Sequence, residues 1–187
     1  MHKTASNSVF KPIKGHKSPI IVIDFEIYHQ VNALVHAFTD EVQWFQTVTR
    51  KETNNQIQYH LGHFFVPTQK THSTTTEMVG STWLEIFEEA KALCGGDVKA
   101  AGDIIKQTTC WSHSHHTMGT SPSGQDHKNF EEFAADRLEG EEPLIMMIWN
   151  QKDSVYTEII DPITGLWHTN VPMAFDTSSV DLSFLPE

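Results

Sequence analysis

Cysteine is almost missing from this chain: Cys94 and Cys110 are the only two in 187 residues. Two thiols give neither a disulfide framework nor a cysteine-based zinc knuckle, so any metal bound here must be held by nitrogen and oxygen. Long apolar runs are missing too. The longest aliphatic stretches are IIVI (20–23) and LIMMIW (144–149), far short of the roughly 20 residues a membrane-spanning helix needs. They read as buried strands, and no membrane partner is expected. Positive charge is scarce, with 13 Lys and Arg against 24 Asp and Glu and a formal net charge of −11. That balance speaks against a nucleic-acid partner, which would call for a basic patch. The opening residues, MHKTASNSVFKPIKG, contain no apolar leader core, so the expected place is the cytoplasm of the cell or of an infected host.

What is present is ordinary for one globular domain: 39% hydrophobic and 20% charged residues. Residues 1–18 carry Lys3, Lys11, Lys14 and Lys17 without an acid and are expected to be an extended lead-in. A domain over 19–175 and an acidic tail over 176–187 follow. After IIVI, apolar residues at Ile27, Tyr28, Val31, Leu34, Val35 and Phe38 keep a helical period, with Asp24 as N-cap. EVQWFQTVTR from Glu41 and IQYHLGHFFVP (57–67) read as strands separated by TNNQ. Trp83, Ile86, Phe87, Ala90 and Leu93 mark a second helix, with Thr82 and Glu85 at capping-box spacing and Gly95 at its stop. DVKAAGDIIKQTT is ambiguous, a helical piece followed by a turn. TTCWSHSH is a strand, GQDHKNFEEFAADRLEG a helix, and PLIMMIWNQ (143–151) and SVYTEIID (154–161) two more strands. This order predicts an α/β (α+β) fold, a mixed sheet packed with helices.

The chemistry concentrates in HSHHTMGTSPSGQD (113–126). Alternate residues of a strand leave from one face, so His113 and His115 point together at the end of TTCWSHSH, and His116 points away. Asp126 lies in the first turn of the next helix, and a loop with two glycines and a proline can return it to that face. Two imidazoles and one carboxylate suit a three-ligand zinc site that keeps a fourth position for water. An H-x-H pair alone is weak evidence in a chain with 12 histidines. Ser123 and Asp126 also have the S-x-x-D spacing of a helix cap, which is compatible with a ligand at the helix start.

The whole spacing, H-x-H, seven residues, S, two residues, D, resembles the JAMM motif of the JAB/MPN metalloproteases. In that family a glutamate precedes the motif, just after the first helix, and Glu41 in FTDEVQWF stands at that place. The likeness extends over about residues 20–170 in element order and is specific in residue identity only at Glu41 and 111–126. It implies a mainly antiparallel, curved sheet of cytidine-deaminase-like JAB/MPN architecture. His113, His115 and Asp126 would hold one Zn2+ per chain. Glu41 would be the general acid/base and Ser123 the group that stabilises the oxyanion. The implied substrate is an amide bond at the C-terminus of ubiquitin or a ubiquitin-like, β-grasp protein. Trp111 matches an aromatic that often precedes the HSH segment, although core packing explains it as well. His116 stands where many eukaryotic members have proline, so HSH…MG…SGQD looks more like divergent prokaryotic or viral JAB domains. A viral or phage processing peptidase and a non-catalytic MPN-type scaffold are the alternatives. His60 and His63, three apart in a strand, are expected to diverge, and Asp24, Glu26 and Asp40 are rivals of Glu41 for the role of base.

Overall fold

The structure, a computed structural model, describes residues 17–71, 76–78, 81–135, 137 and 140–178. The lead-in expected over 1–18 and the tail expected over 176–187 fall mostly outside the described residues. Strand β1 (Ser18–Asp24) runs straight into helix α1 (Phe25–Ala37), because the Asp24 carboxylate accepts from Glu26 N at 2.8 Å and Ile27 N at 3.4 Å and so caps the helix as expected. Strands β2 (Gln43–Glu52) and β3 (Gln56–Phe65) form an antiparallel pair. The strand expected to open at Glu41 therefore begins two residues later, with Glu41 in the lead-in. A small hairpin pairs β4 (Gln69–Thr71) with β5 (Thr76–Met78), where the sequence gave no strand signal.

Helix α2 (Thr82–Leu93) starts without the expected capping box. Its N-cap position is Ser81, no side chain caps it, and Glu85 accepts instead from Thr68 N at 2.8 Å. Gly95 does provide the stop, at a φ of 62° that glycine adopts without strain. The ambiguous segment resolves into helix α3 (Val98–Gln107), capped by Asp97 through Lys99 N and Ala100 N, and strand β6 (Thr108–Ser114). Helix α4 (Gly124–Ala135), β7 (Leu144–Trp149), β8 (Val155–Asp161), β9 (Leu166–Thr169) and β10 (Met173–Asp176) complete the chain.

Eight strands make one curled mixed sheet in the order β10-β1-β3-β2-β6-β7-β8-β9. Four of its seven pairings are antiparallel; β1 with β10, β1 with β3 and β6 with β7 are parallel. Both faces are covered. Ile21, Ile23, Val42, Trp44, Tyr59, Cys110, Met147 and Trp149 pack with Val31 and Val35 of α1. Phe45, Phe65, Trp111, Leu144, Met146 and Ile148 pack on the other face with Ile86 and Ala90 of α2, Ala101 of α3, and Phe130 and Ala134 of α4. Of the helix expected over GQDHKNFEEFAADRLEG, residues 136, 138 and 139 lie outside the described residues. Alternate residues of β2, β6 and β7 thus belong to opposite cores, the period-2 rule carried across three neighbouring strands. Near Gln46 the β2 register shifts, and there Thr47 Oγ1 occupies the space a side chain at Gly62 would need. Among the described residues no helix is long and apolar enough to cross a membrane.

Candidate metal centre

Strand β6 has β2 on one side and β7 on the other, and all seven of its residues are buried. Pairing continues past its last residue: Ser114 N donates to Val42 O at 2.9 Å and His115 N to Trp149 O at 2.7 Å. The backbone of both histidines is therefore fixed. Trp111, His113 and His115 alternate onto the α4 face, as the i, i+2 spacing predicts. Beyond His115 the chain leaves the sheet at His116, whose φ of 45° is left-handed. His116 contributes no atom to the cluster, as expected, and its Nδ1 lies 3.4 Å from Thr117 Oγ1.

Helix α4 then supplies the acid. Ser123 Oγ accepts from Asp126 N at 3.2 Å, and Asp126 Oδ2 accepts from Ser123 N at 2.6 Å. This reciprocal box is the S-x-x-D cap, and it also aims the carboxylate. Asp126 Oδ1 lies 3.0 Å from His113 Nε2, Asp126 Oδ2 lies 3.5 Å from His115 Nε2, and the two Nε2 atoms are 3.1 Å apart. Taking one donor atom from each residue, all three lie within 4.8 Å of one another, and the group could hold a metal ion. In a tetrahedron with ligand bonds of 2.0–2.1 Å the donors stand about 3.3 Å apart, close to these spacings. His115 Nδ1 lies 2.8 Å from Gly119 O. Donation there leaves the Nε2 lone pair directed at the cluster, the tautomer a metal ligand needs. Three such groups meeting in a buried place could hold a metal ion, and the nitrogen and oxygen set is compatible with zinc.

The electrostatics are those of a coupled cluster. Burial works against the Asp126 carboxylate, but hydrogen bonds from His113 and His115 outweigh it and hold its pKa well below the usual carboxylate range. Burial pushes His113 down and so favours the neutral ring. The hydrogen bond to Asp126 pulls His115 up.

Glu41 joins the same face through sheet register. Gln43 pairs with His113, and Val42 N donates to Ser114 Oγ at 3.0 Å, which carries the register on to Glu41 opposite His115. Val42 and Trp44 belong to the α1 core and Phe45 to the α4 core, so Glu41 and Gln43 alternate toward α4. Glu41 is only 6% exposed. Burial pushes its pKa up to about 7, with His115 opposing the rise and Asp126 adding to it. Two of its three rivals are placed otherwise: Asp24 caps α1 and Glu26 is exposed on that helix's first turn. His60 and His63 diverge as expected, to Gln58 and Glu89 respectively.

Several supporting residues left no local signal in the sequence. Gln43 Oε1 accepts from Trp111 Nε1 at 2.9 Å, and Gln69 reaches the Gln43 backbone from the hairpin. Asn150, 4% exposed, donates to Met118 O at 2.7 Å while accepting from Lys152 N and Ser154 N. It thereby ties the 116–122 loop, and with it the Gly119 carbonyl, to the β7–β8 turn. Gln151 joins the same loop to the end of α1, through its N–H to His116 O and its side chain to Val35 O and Phe38 O. The NQ pair could have been recognised as turn chemistry, but not as support for the site. Compared with protein-family models and with curated proteins, the chain finds no match.

Proposed function

We propose that this chain is a zinc-dependent peptidase or isopeptidase of the JAMM type. It would hydrolyse an amide bond at the C-terminus of ubiquitin or of another ubiquitin-like, β-grasp protein. The observation that carries the reading is the meeting of His113, His115 and Asp126 at the end of β6 with Glu41 buried on the same face. The succession of α1, Glu41, β2, β3, α2, β6 and a helix that opens at Ser-x-x-Asp supports a JAB/MPN architecture for the sheet and helices described above. Bound zinc supplies a Lewis acid for the scissile carbonyl and lowers the pKa of water.

The protein's own groups do the rest. Glu41, with a pKa raised into the range useful to a base at neutral pH, takes the proton of the attacking water. It then delivers that proton to the leaving nitrogen. The water oxygen ends on the carbonyl carbon, the C–N bond breaks, and the amine departs protonated. Ser123 Oγ accepts from Asp126 N, which leaves its hydroxyl hydrogen free to donate to the developing oxyanion. A flexible substrate tail would bind as an added strand, and β4, tied to Gln43 through Gln69, offers a strand edge beside the site.

The test is incubation of the wild type and Glu41→Gln, each loaded with zinc, with ubiquitin-like fusions and with lysate, followed by mass spectrometry of new C-termini. New termini in the wild type alone, at the end of a β-grasp protein, are expected. New termini in a structural protein only would turn the substrate assignment to a processing peptidase. A wild type that takes up no zinc and cleaves nothing would leave a scaffold module.

A further inference from the structure

A histidine that ligates a metal ordinarily donates its second ring nitrogen to a carboxylate or carbonyl, which fixes the ring. His115 does this through Gly119 O. His113 does not: its Nδ1 is buried and has no hydrogen-bond partner among the described residues. Its ring is held in another way. It stacks on Trp111, with centroids 4.8 Å apart and planes at 26°. The indole is oriented in turn by donating Nε1–H to Gln43 Oε1 at 2.9 Å, both residues being 6% exposed. Gln43 is itself gripped at the backbone. The Gln69 carboxamide accepts from Gln43 N at 2.8 Å and donates to Gln43 O at 2.9 Å, so one side chain occupies both ladder positions of β2 where β3 has ended.

We infer that Gln69, Gln43 and Trp111 form a positioning relay that orients the His113 imidazole toward Asp126 and His115 by stacking, in place of the outer hydrogen bond this ligand lacks. The inference rests on the reading of His113, His115 and Asp126 as a metal centre. None of the relay residues touches the reacting atoms. Their work is to hold Nε2 of His113 at the cluster while its other nitrogen stays unpaired. The relay also joins the β4–β5 hairpin to the ligand set, because Gln69 is the first residue of β4. Displacement of the hairpin is therefore felt at His113.

The relay is tested on the full-length chain by measuring zinc affinity in competition with a chromophoric chelator. Wild type is compared with Gln43→Ala, Gln43→Glu, Gln69→Ala and Trp111→Phe. Loss of an outer-shell partner lowers metal affinity about ten- to a hundredfold, and that loss is expected for Gln43→Ala and Gln69→Ala. Gln43→Glu keeps an acceptor for the indole and is expected to recover most of the affinity. The indole N–H resonance of Trp111, identified by its disappearance in Trp111→Phe, should move when zinc is added to wild type and should already be displaced in Gln43→Ala. Should Gln43→Ala fail to fold, Gln69→Ala decides, since its side chain is only half-buried and lies on the hairpin. Gln43→Ala and Gln69→Ala proteins that melt lower but bind zinc as tightly as wild type would overturn the relay and leave the metal centre standing. A folded wild type that binds no zinc would overturn both.

Discussion

Zinc should stabilise this fold by an amount that can be worked out in advance. Three donors that belong to β6, to the residue just after it and to α4 converge only in the folded chain, with separations of 3.0, 3.1 and 3.5 Å. A ligand present at a hundredfold over its Kd and bound only by the native state adds about 2.7 kcal/mol of stability. For a chain of this size each kcal/mol moves Tm by roughly 2–4 °C, so a rise of about 5–11 °C is expected. The assay is a thermal melt of chelator-treated protein with and without excess zinc, for wild type, His115→Ala and Asp126→Ala. Asp126→Ala also removes the acceptor for Ser123 N and so part of the α4 cap, which costs about 1 kcal/mol by itself. Its absolute Tm therefore falls for two reasons, and only the difference between its zinc-loaded and zinc-free melts reports the site. His115→Ala, with one histidine fewer, controls for zinc bound by unfolded chain. A wild-type shift below about 1 °C at saturating zinc, or a full shift in both variants, would refute the reasoning.

Three other outcomes are expected. Glu41→Gln keeps the fold and the zinc-dependent Tm shift but loses about 10²- to 10⁴-fold in turnover, the range of a general acid–base contribution, as read by steady-state cleavage of a fusion substrate. Ser123→Ala lowers stability by about 1 kcal/mol through the α4 cap and turnover by about 10²- to 10³-fold through the oxyanion; in denaturant melts and rate measurements Ser123→Thr should restore the first more fully than the second. Asp161 contributes to the pH dependence of stability. Burial alone would raise its pKa, but bonds from Tyr59 and Arg50 outweigh burial and place it below 3.8. Its contribution is complete above pH 3.8 and disappears as pH falls through the lower folded value. Chemical denaturation across pH should show Asp161→Asn about 1.5–3 kcal/mol less stable at neutral pH, Arg50 keeping Glu52 as a partner, and with a flatter acid limb; an unchanged limb would dismiss the assignment.

The parts of this molecule that were legible in the sequence are those set by neighbours along the chain. Asp24 next to a helical period located α1, and the alternation in TTCWSHSH put His113 and His115 on one face. Ser123 and Asp126 announced a helix start that also brings the Asp126 carboxylate to the two histidines. Local patterns failed where distant partners decide. Thr82 and Glu85 have the spacing of a capping box, yet Glu85 binds Thr68 N from the chain before the hairpin. The four-residue strands β9 and β10 have too few residues to show a period and exist because β8 and β1 pair with them. Glu41 could be located by analogy but not by geometry, since only the β2–β6 register sets it opposite His115. Gln43, Gln69 and Asn150 are polar residues with nothing unusual in their surroundings in sequence; their roles follow from contacts 26 to 68 residues away.

Strand β6 lies between two other strands and is buried throughout. Amide protons in such a position exchange with solvent only when the whole domain opens, whereas the first turn of a helix frays on its own. His113 is on that strand and His115 is anchored one residue past its end, while Asp126 belongs to the opening turn of α4. The three donors therefore sit in segments of unequal local stability. Asp126 is the donor expected to let go without global unfolding, and opening of the α4 start is expected to part it from the histidines. Hydrogen exchange should show this as fast, cation-sensitive protection at 124–126 beside slow, cation-insensitive protection at 110–113.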